Sequence, residues 1–192
     1  MLLRRIMMLI PITVIGLQIG IISPILDLIP MPESIEKIFL EFSKQNGPFS
    51  FMAIVIAAPI FEELIFRGVI LGGLLKKYSP AKSILFSSAL FGLVHLNPWQ
   101  FVPAMILGIF SGWVYYKTRQ LTLSILIHLV NNLMAFVISF YMKPEEMQQS
   151  LSEMYGGTFN LVLISLGATG VAATCIYMLS LEIKASYNSP QE

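Results

Sequence analysis

The stretch AAPIFEELIFRG (57–68) sets two adjacent carboxylates, Glu62 and Glu63, and one guanidinium, Arg67, in an otherwise apolar run. From about Phe49 to Leu75 the chain carries no other charge, and a run of that length is enough to cross a hydrocarbon layer about 30 Å thick. A charged side chain at the centre of such a span costs about 2.5–3.5 kcal/mol on insertion scales, so it is rare and usually functional. The reading of 57–68 therefore fixes both the class of fold and the place to look for chemistry.

The rest of the chain agrees with a membrane setting. Of 192 residues, 56% are hydrophobic and 12% are charged, with a mean hydropathy of +0.76. Soluble domains carry about 25% charged residues. Apolar stretches recur along the whole length and predict an all-α, polytopic membrane helix bundle of about six spans. They run from about Ile6 to Ile29, Phe49 to Leu75, Pro80 to Leu96, Phe101 to Tyr116, Leu121 to Tyr141 and Phe159 to Leu181. The opening MLLRRIMMLIPITVIGLQIG has the basic start of a signal peptide, Arg4 and Arg5. Its apolar run outlasts the usual h-region and meets no small-x-small cleavage site, so it reads as a retained first span. A net charge of +1 carries no nucleic-acid signature. The lone Cys175 reads as a small apolar residue of a helix.

Basic residues resist translocation and so report orientation. With the N-terminus inside, eight of them fall in cytoplasmic segments: Arg4, Arg5, Lys76, Lys77, Lys82, Lys117, Arg119 and Lys184. Only Lys37, Lys44 and Lys143 fall outside. Both termini are therefore expected in the cytoplasm, with the protein in the cell membrane. Two outer segments look like short interfacial helices. One carries Ile35, Ile38, Phe39 and Phe42 at helical spacing, and the other Met147, Leu151 and Met154. No repeat, low-complexity tract or linker divides the chain, so 1–192 is read as a single integral membrane domain.

The polar residues inside the spans are few and regularly spaced. Besides the 57–68 set, the third span holds His95, and the fifth holds His128, Asn131 and Asn132; the chain has no other histidine. Glu63 and Arg67 are four apart with the glutamate first, the favourable order for a helical ion pair. Glu62 points about 100° away and is left free for another role. Phe91 and His95 share a face, as do His128 and Asn132. From Glu62 to Lys77 and from Ser79 to His95 the helical rise is about 22 and 24 Å, so a hairpin at 76–80 levels His95 with Glu62. His128 lies only about 12 Å above Gln120, which requires the fifth span to start deeper or the hairpin to project. Gly108-x-x-x-Gly112 and Ser88-x-x-x-Gly92 permit close helix approach. Pro59 is expected to kink the second span.

Glu62-Glu63-x-x-x-Arg67, then Phe91-x-x-x-His95, then His128-x-x-x-Asn132, each on its own helix, resembles the three motifs of the type II CAAX prenyl endopeptidases. That group includes the bacterial CAAX protease and bacteriocin-processing (CPBP, or Abi) proteins. With flanking helices the resemblance covers 49–181, the CAAX-protease-like core; better-known members have about eight spans, against the six expected here. The resemblance implies an intramembrane endopeptidase acting on a membrane-associated protein or peptide among membrane lipids. Glu62 and His95 would activate water, and His128 and Asn132 would stabilise the oxyanion. Glu63 and Arg67 would support the second helix, with Phe91 beneath His95. Asn131 lies outside the motifs and is read as a helix-interface contact.

Other readings stay open at this stage. Glu62, His95 and His128 could hold zinc with an open water position, although a metal-free glutamate mechanism is favoured. A non-catalytic bacteriocin-immunity protein of the same fold is an alternative to the peptidase. A small proton-coupled transporter is a further one, disfavoured by the absence of an internal repeat.

Overall fold

A computed structural model describes residues 2–44, 47–141 and 149–188. Among them every regular element is a helix. Helix α1 (2–27) is continuous but widens into a π-helical turn at Gln18–Ile22. Helix α2 (Glu33–Ser43) is short and amphipathic. Helix α3 (Pro48–Leu74) carries the glutamates. Helices α4 (Pro80–Leu93), α5 (Pro98–Thr118) and α6 (Leu121–Tyr141) follow closely. A single turn, α7 (Leu151–Met154), precedes the long α8 (Thr158–Asn188).

The boundaries follow local chemistry. Pro48, Pro80 and Pro98 each open a helix, with Gly47, Ser79 and Asn97 extended before them, because a residue preceding proline is pushed out of the helical region. Asn97 Oδ1 also accepts from the Gln100 backbone N–H, a side-chain cap for α5. Arg119, left-handed at φ 56°, ends α5. Ser150 and Glu153 close a capping box around α7, and the Leu151 N–H donates to Asp27 Oδ1 at the end of α1. Lys143 and Met147 of the second interfacial segment lie outside the described residues.

Helix α3 is not a straight rod. It passes through two π-helical stretches, Met52–Ala57 and Leu64–Leu71. The first accommodates Pro59: the Ala58 N–H reaches back five residues to the Ala53 carbonyl. By the same spacing the Ile54 carbonyl looks to residue 59, which as proline has no N–H to give. The expected kink is thus a widened turn, a form common at functional sites.

By length and apolar content four helices can cross a membrane: Arg4–Asp27, Pro48–Leu74, Leu121–Tyr141 and Thr158–Ala185. The other two expected spans exist as helices but differ in kind. At 14 residues α4 rises about 21 Å, short of the hydrocarbon thickness. It stops at Leu93; beyond it Leu96 is left-handed and Asn97 is extended before Pro98. In α5 the apolar run is diluted by Pro, Gln, Trp and Tyr. The pair forms a hairpin against α3. A Cβ on Gly108 would lie 3.0 Å from Ser88 Cβ, and one on Gly112 would lie 3.1 Å from Ile84, so the small residues let the two backbones approach as their spacing suggested. A second close crossing had no place in the sequence reading. Gly16 and Gly20 of α1 face Ala168, Ala172 and Thr169 of α8.

The buried core joins α1, α5, α6 and α8 through Ile10, Val14, Val114, Ile127 and Leu179. Outward-facing Phe49, Phe61, Val69, Phe159 and Leu166 are exposed, as expected of a surface that meets lipid. Arg5 pairs with Glu182 at 3.1 Å, which puts the start of α1 and the end of α8 on one side of the bundle. The start of α6 is placed against α3 as well. Leu121 at its start packs against Gly68 of α3, six residues past Glu62 toward the 76–80 hairpin. His128 stands about 10 Å along α6 from Leu121 and so reaches the glutamates. Helix α6 thus starts alongside the middle of α3, and the 76–80 hairpin projects past that start.

Candidate active site

The three motif helices meet at one carboxylate. Glu63, with 1% of its side chain exposed, accepts from Arg67 Nη1 at 2.9 Å, and Arg67 is equally buried. Its other oxygen, Oε2, accepts from Ser111 Oγ of α5 at 3.1 Å. Oε1 also lies 3.1 Å from His128 Nδ1 of α6. An ionised carboxylate only accepts, so the hydrogen sits on His128 Nδ1 and the ring is oriented with Nε2 away from Glu63. That Nε2 lies 3.8 Å from Glu62 Oε2, beyond direct hydrogen-bond range.

Glu62 differs from its neighbour as the helix geometry requires. One third of its side chain is exposed, and its buried Oε2 has no hydrogen-bond partner. Arg67 takes the adjacent carboxylate and leaves this one unused. His95 sits just past α4, in the turn Val94–Asn97 rather than within a helical span. Its Nδ1 donates to the Phe91 carbonyl at 2.9 Å, which leaves Nε2 as the acceptor in the neutral ring. Asn97 Nδ2 donates to the His95 carbonyl at 2.9 Å and so holds that turn.

Phe91 links the cationic and imidazole groups. Its ring meets those of His95 and His128 edge-on, at 5.3 and 5.4 Å between centres. Arg67 Cζ lies 4.5 Å from the same ring centre, a cation–π distance. The aromatic one turn before His95 thus touches all three.

Asn132 Nδ2 donates to the Ile54 carbonyl at 2.9 Å, the acceptor that Pro59 deprives of a backbone partner. Asn131 Nδ2 donates to Asn132 Oδ1 at 3.2 Å. The interface role expected of Asn131 therefore appears as support for its neighbour, and Asn132 makes the bond between helices.

These residues line one cavity of about 1140 Å³, shared by Glu62, Glu63, Arg67, His95, His128 and Asn132. It extends past Trp99 and Met31 toward α2 and the 149–150 segment. Trp99 Nε1 donates to the Ile29 carbonyl and ties the start of α5 to the loop after α1. Among the described residues no three His, Cys, Asp or Glu side chains gather closely enough to hold a metal ion. Glu62, His95 and His128 share a cavity but do not form a preformed tridentate set. The sequence reading missed Ser111 and its support, Ser124, whose Oγ donates to the Ser111 carbonyl at 3.4 Å. Small hydroxyls occur throughout membrane helices, and only their tertiary partners distinguish these two.

Residues 44–134 match the model of a family described as type II CAAX prenyl endopeptidase Rce1-like. Three curated proteins are similar. A Bacillus subtilis (strain 168) protein, provisionally named membrane peptidase YdiL, is 29% identical over 120 residues, 60% of this chain and 48% of its own. Protein YxdF of Lactococcus lactis subsp. lactis (strain IL1403) is 38% identical over 79 residues, 41% of this chain and 43% of its own. The membrane-embedded CAAX protease MroQ of Staphylococcus aureus (strain USA300) is 29% identical over 114 residues, 55% of this chain and 45% of its own. The chain spans about half the length of these relatives. No solved structure gives a significant match. The resemblance read from the motifs is borne out, since the matched segment contains all three. With its apolar helices, the chain is a multi-pass integral protein of the cell membrane.

Proposed function

We propose that this chain, Rce1-like over residues 44–134, is an intramembrane endopeptidase that hydrolyses a peptide bond of a membrane-associated protein or peptide. The observation that carries the reading is the division between the adjacent glutamates. Glu63 is fixed by Arg67, Ser111 and His128, whereas Glu62 presents an unpaired oxygen beside a cavity within the membrane.

The chemistry follows from which atoms can give or take a proton. Glu62 and the His95 Nε2 both accept, so together they can take both hydrogens of one water and turn its lone pair toward a carbonyl. Glu62 removes a proton as the water oxygen attacks. The resulting oxyanion needs donors. Asn132 Nδ2 has a second hydrogen besides the one given to Ile54. His128 donates from Nε2 only as an imidazolium, because its Nδ1 hydrogen is already committed to Glu63. When the tetrahedral intermediate collapses, the proton on Glu62 goes to the leaving amine and the C–N bond breaks. The scheme is metal-free, the mechanism favoured from the motifs; if a zinc ion is bound instead, Glu62, His95 and His128 would hold it and it would polarise the attacking water.

Comparing membrane proteomes and secreted peptides of cells carrying the wild type or Glu62→Ala tests the reading. New protein termini present only with the wild type support it. Identical terminus sets in the two cell lines overturn it.

A further inference from the structure

We propose that Gln18 is a substrate-binding residue of the cavity, pairing its side-chain amide with one backbone amide of an extended peptide; this rests on the endopeptidase reading. Gln18 opens the π-helical turn of α1, is half-buried, and lines the cavity that holds Glu62 and His95. It belongs to none of the three motifs and to none of the helices that carry them.

Its hydrogen bonding is the anomaly. Among the described residues, four buried side-chain polar atoms lack a partner: Gln18 Oε1, Glu62 Oε2, Arg67 Nη2 and Ser165 Oγ. Hydrolysis accounts for Glu62, and Arg67 is neutralised through its other nitrogen. Ser165 does not line the cavity. Gln18 is left. Other polar side chains within these helices find acceptors: Thr13 bonds the Leu9 carbonyl and Ser87 the Phe66 carbonyl. A primary amide kept in an apolar span beside a cavity, with its oxygen unused, calls for a partner that arrives.

The reaction supplies that partner. A peptide bond presented for attack cannot be part of an α-helix, since the helix buries its carbonyl in the ladder and screens it with side chains. An unwound segment in a membrane cavity has backbone N–H and C=O groups without water or helix to satisfy them. A glutamine amide offers one acceptor and donors in a plane, the complement of a peptide group. Rotation about its last torsion presents either end. Gln18 can therefore stabilise the unwound substrate independently of its side-chain sequence, leaving specificity to the apolar walls.

The test starts from termini generated in cells by the wild type and absent with Glu62→Gln. A synthetic peptide spanning one such cleavage site is then the probe, with purified protein in detergent. Gln18→Leu is expected to raise KM about tenfold with kcat within about twofold, the loss of one hydrogen bond that leaves its partner unpaired. Analogues with a single backbone amide replaced by ester remove one N–H at a time. One position is expected to raise the wild-type KM by a similar factor and to leave that of Gln18→Leu unchanged, a coupling that a merely structural glutamine would not produce. If Gln18→Leu fails to accumulate, Gln18→Met, similar in length and shape, takes its place. An unchanged KM in a folded variant, or no ester position that distinguishes it from wild type, overturns the inference and leaves the endopeptidase standing. Absence of any wild-type-dependent terminus overturns both.

Discussion

Replacing each glutamate by glutamine separates their roles, because the substitution keeps shape and removes charge. Glu63 sits between Arg67 at 2.9 Å, Ser111 at 3.1 Å and His128 at 3.1 Å, with 1% exposure on both sides of the ion pair. In Glu63→Gln the Arg67 guanidinium is left buried without an anion, and its Nη2 already lacks a partner. Breaking a buried pair from one side costs about 3–5 kcal/mol. For a chain of this size each kcal/mol moves the melting temperature by about 2–4 °C. The expected fall is about 6–20 °C by the same conversion. Glu62→Gln removes a carboxylate that is one-third exposed, bonded to nothing at Oε2 and 3.8 Å from His128. It is expected to melt within about 2 °C of wild type, since the loss is under about 1 kcal/mol, while losing peptidase activity. Thermal unfolding in detergent, followed by intrinsic fluorescence, reads both. Equal melting of wild type and Glu63→Gln would refute the assignment of Glu63 as the buried anchor. An equally low Glu62→Gln would refute the separation of roles.

Three further outcomes follow from individual contacts. Asn132→Ala strands the Ile54 carbonyl and is expected to cost about 1–3 kcal/mol; in a Pro59→Ala background, where a backbone N–H is restored, the cost falls, and an additive double mutant in unfolding experiments would contradict this account of the π-helical turn. Gly108→Val forces a branched side chain toward Ser88 and Arg67, 3.0 and 3.2 Å from where a Cβ would stand, and is expected to destabilise by about 1–3 kcal/mol. Gly170→Ala, on a helix and with nothing within 4 Å, stabilises by up to about 1 kcal/mol, so a melting series that fails to rank the two would argue against the α4–α5 packing. Cleavage is expected to survive chelation by phenanthroline; activity lost to the chelator and restored by zinc would overturn the metal-free scheme.

The fold class and the motif residues were legible because charge and amides are rare in membrane helices. Glu62, Glu63, Arg67, His95, His128 and Asn132 could be picked out by rarity, and the i, i+4 spacing of Glu63 and Arg67 named their ion pair. What escaped was tertiary or irregular. Beyond the α4 end at Leu93 stands a left-handed Leu96 that no spacing rule signals. Ser111 looks like any small residue until Glu63 is found beside it. The π-helical turns change the register on which a 1.5 Å rise relies, and the prolines that provoke them announce only a disturbance. Gln18 was open to the same rarity argument as the histidines, but an uncharged amide in a first span draws less notice.

The central claim is that a water activated at Glu62 cuts a peptide bond inside the membrane. Its most direct measurement is the rate at which the protein, reconstituted in liposomes, cuts a co-reconstituted substrate in water enriched in oxygen-18, with mass spectrometry of the products. The account predicts a new C-terminal carboxylate carrying one heavy oxygen with the wild type and no product with Glu62→Gln. Product formed at the same rate by Glu62→Gln would contradict it.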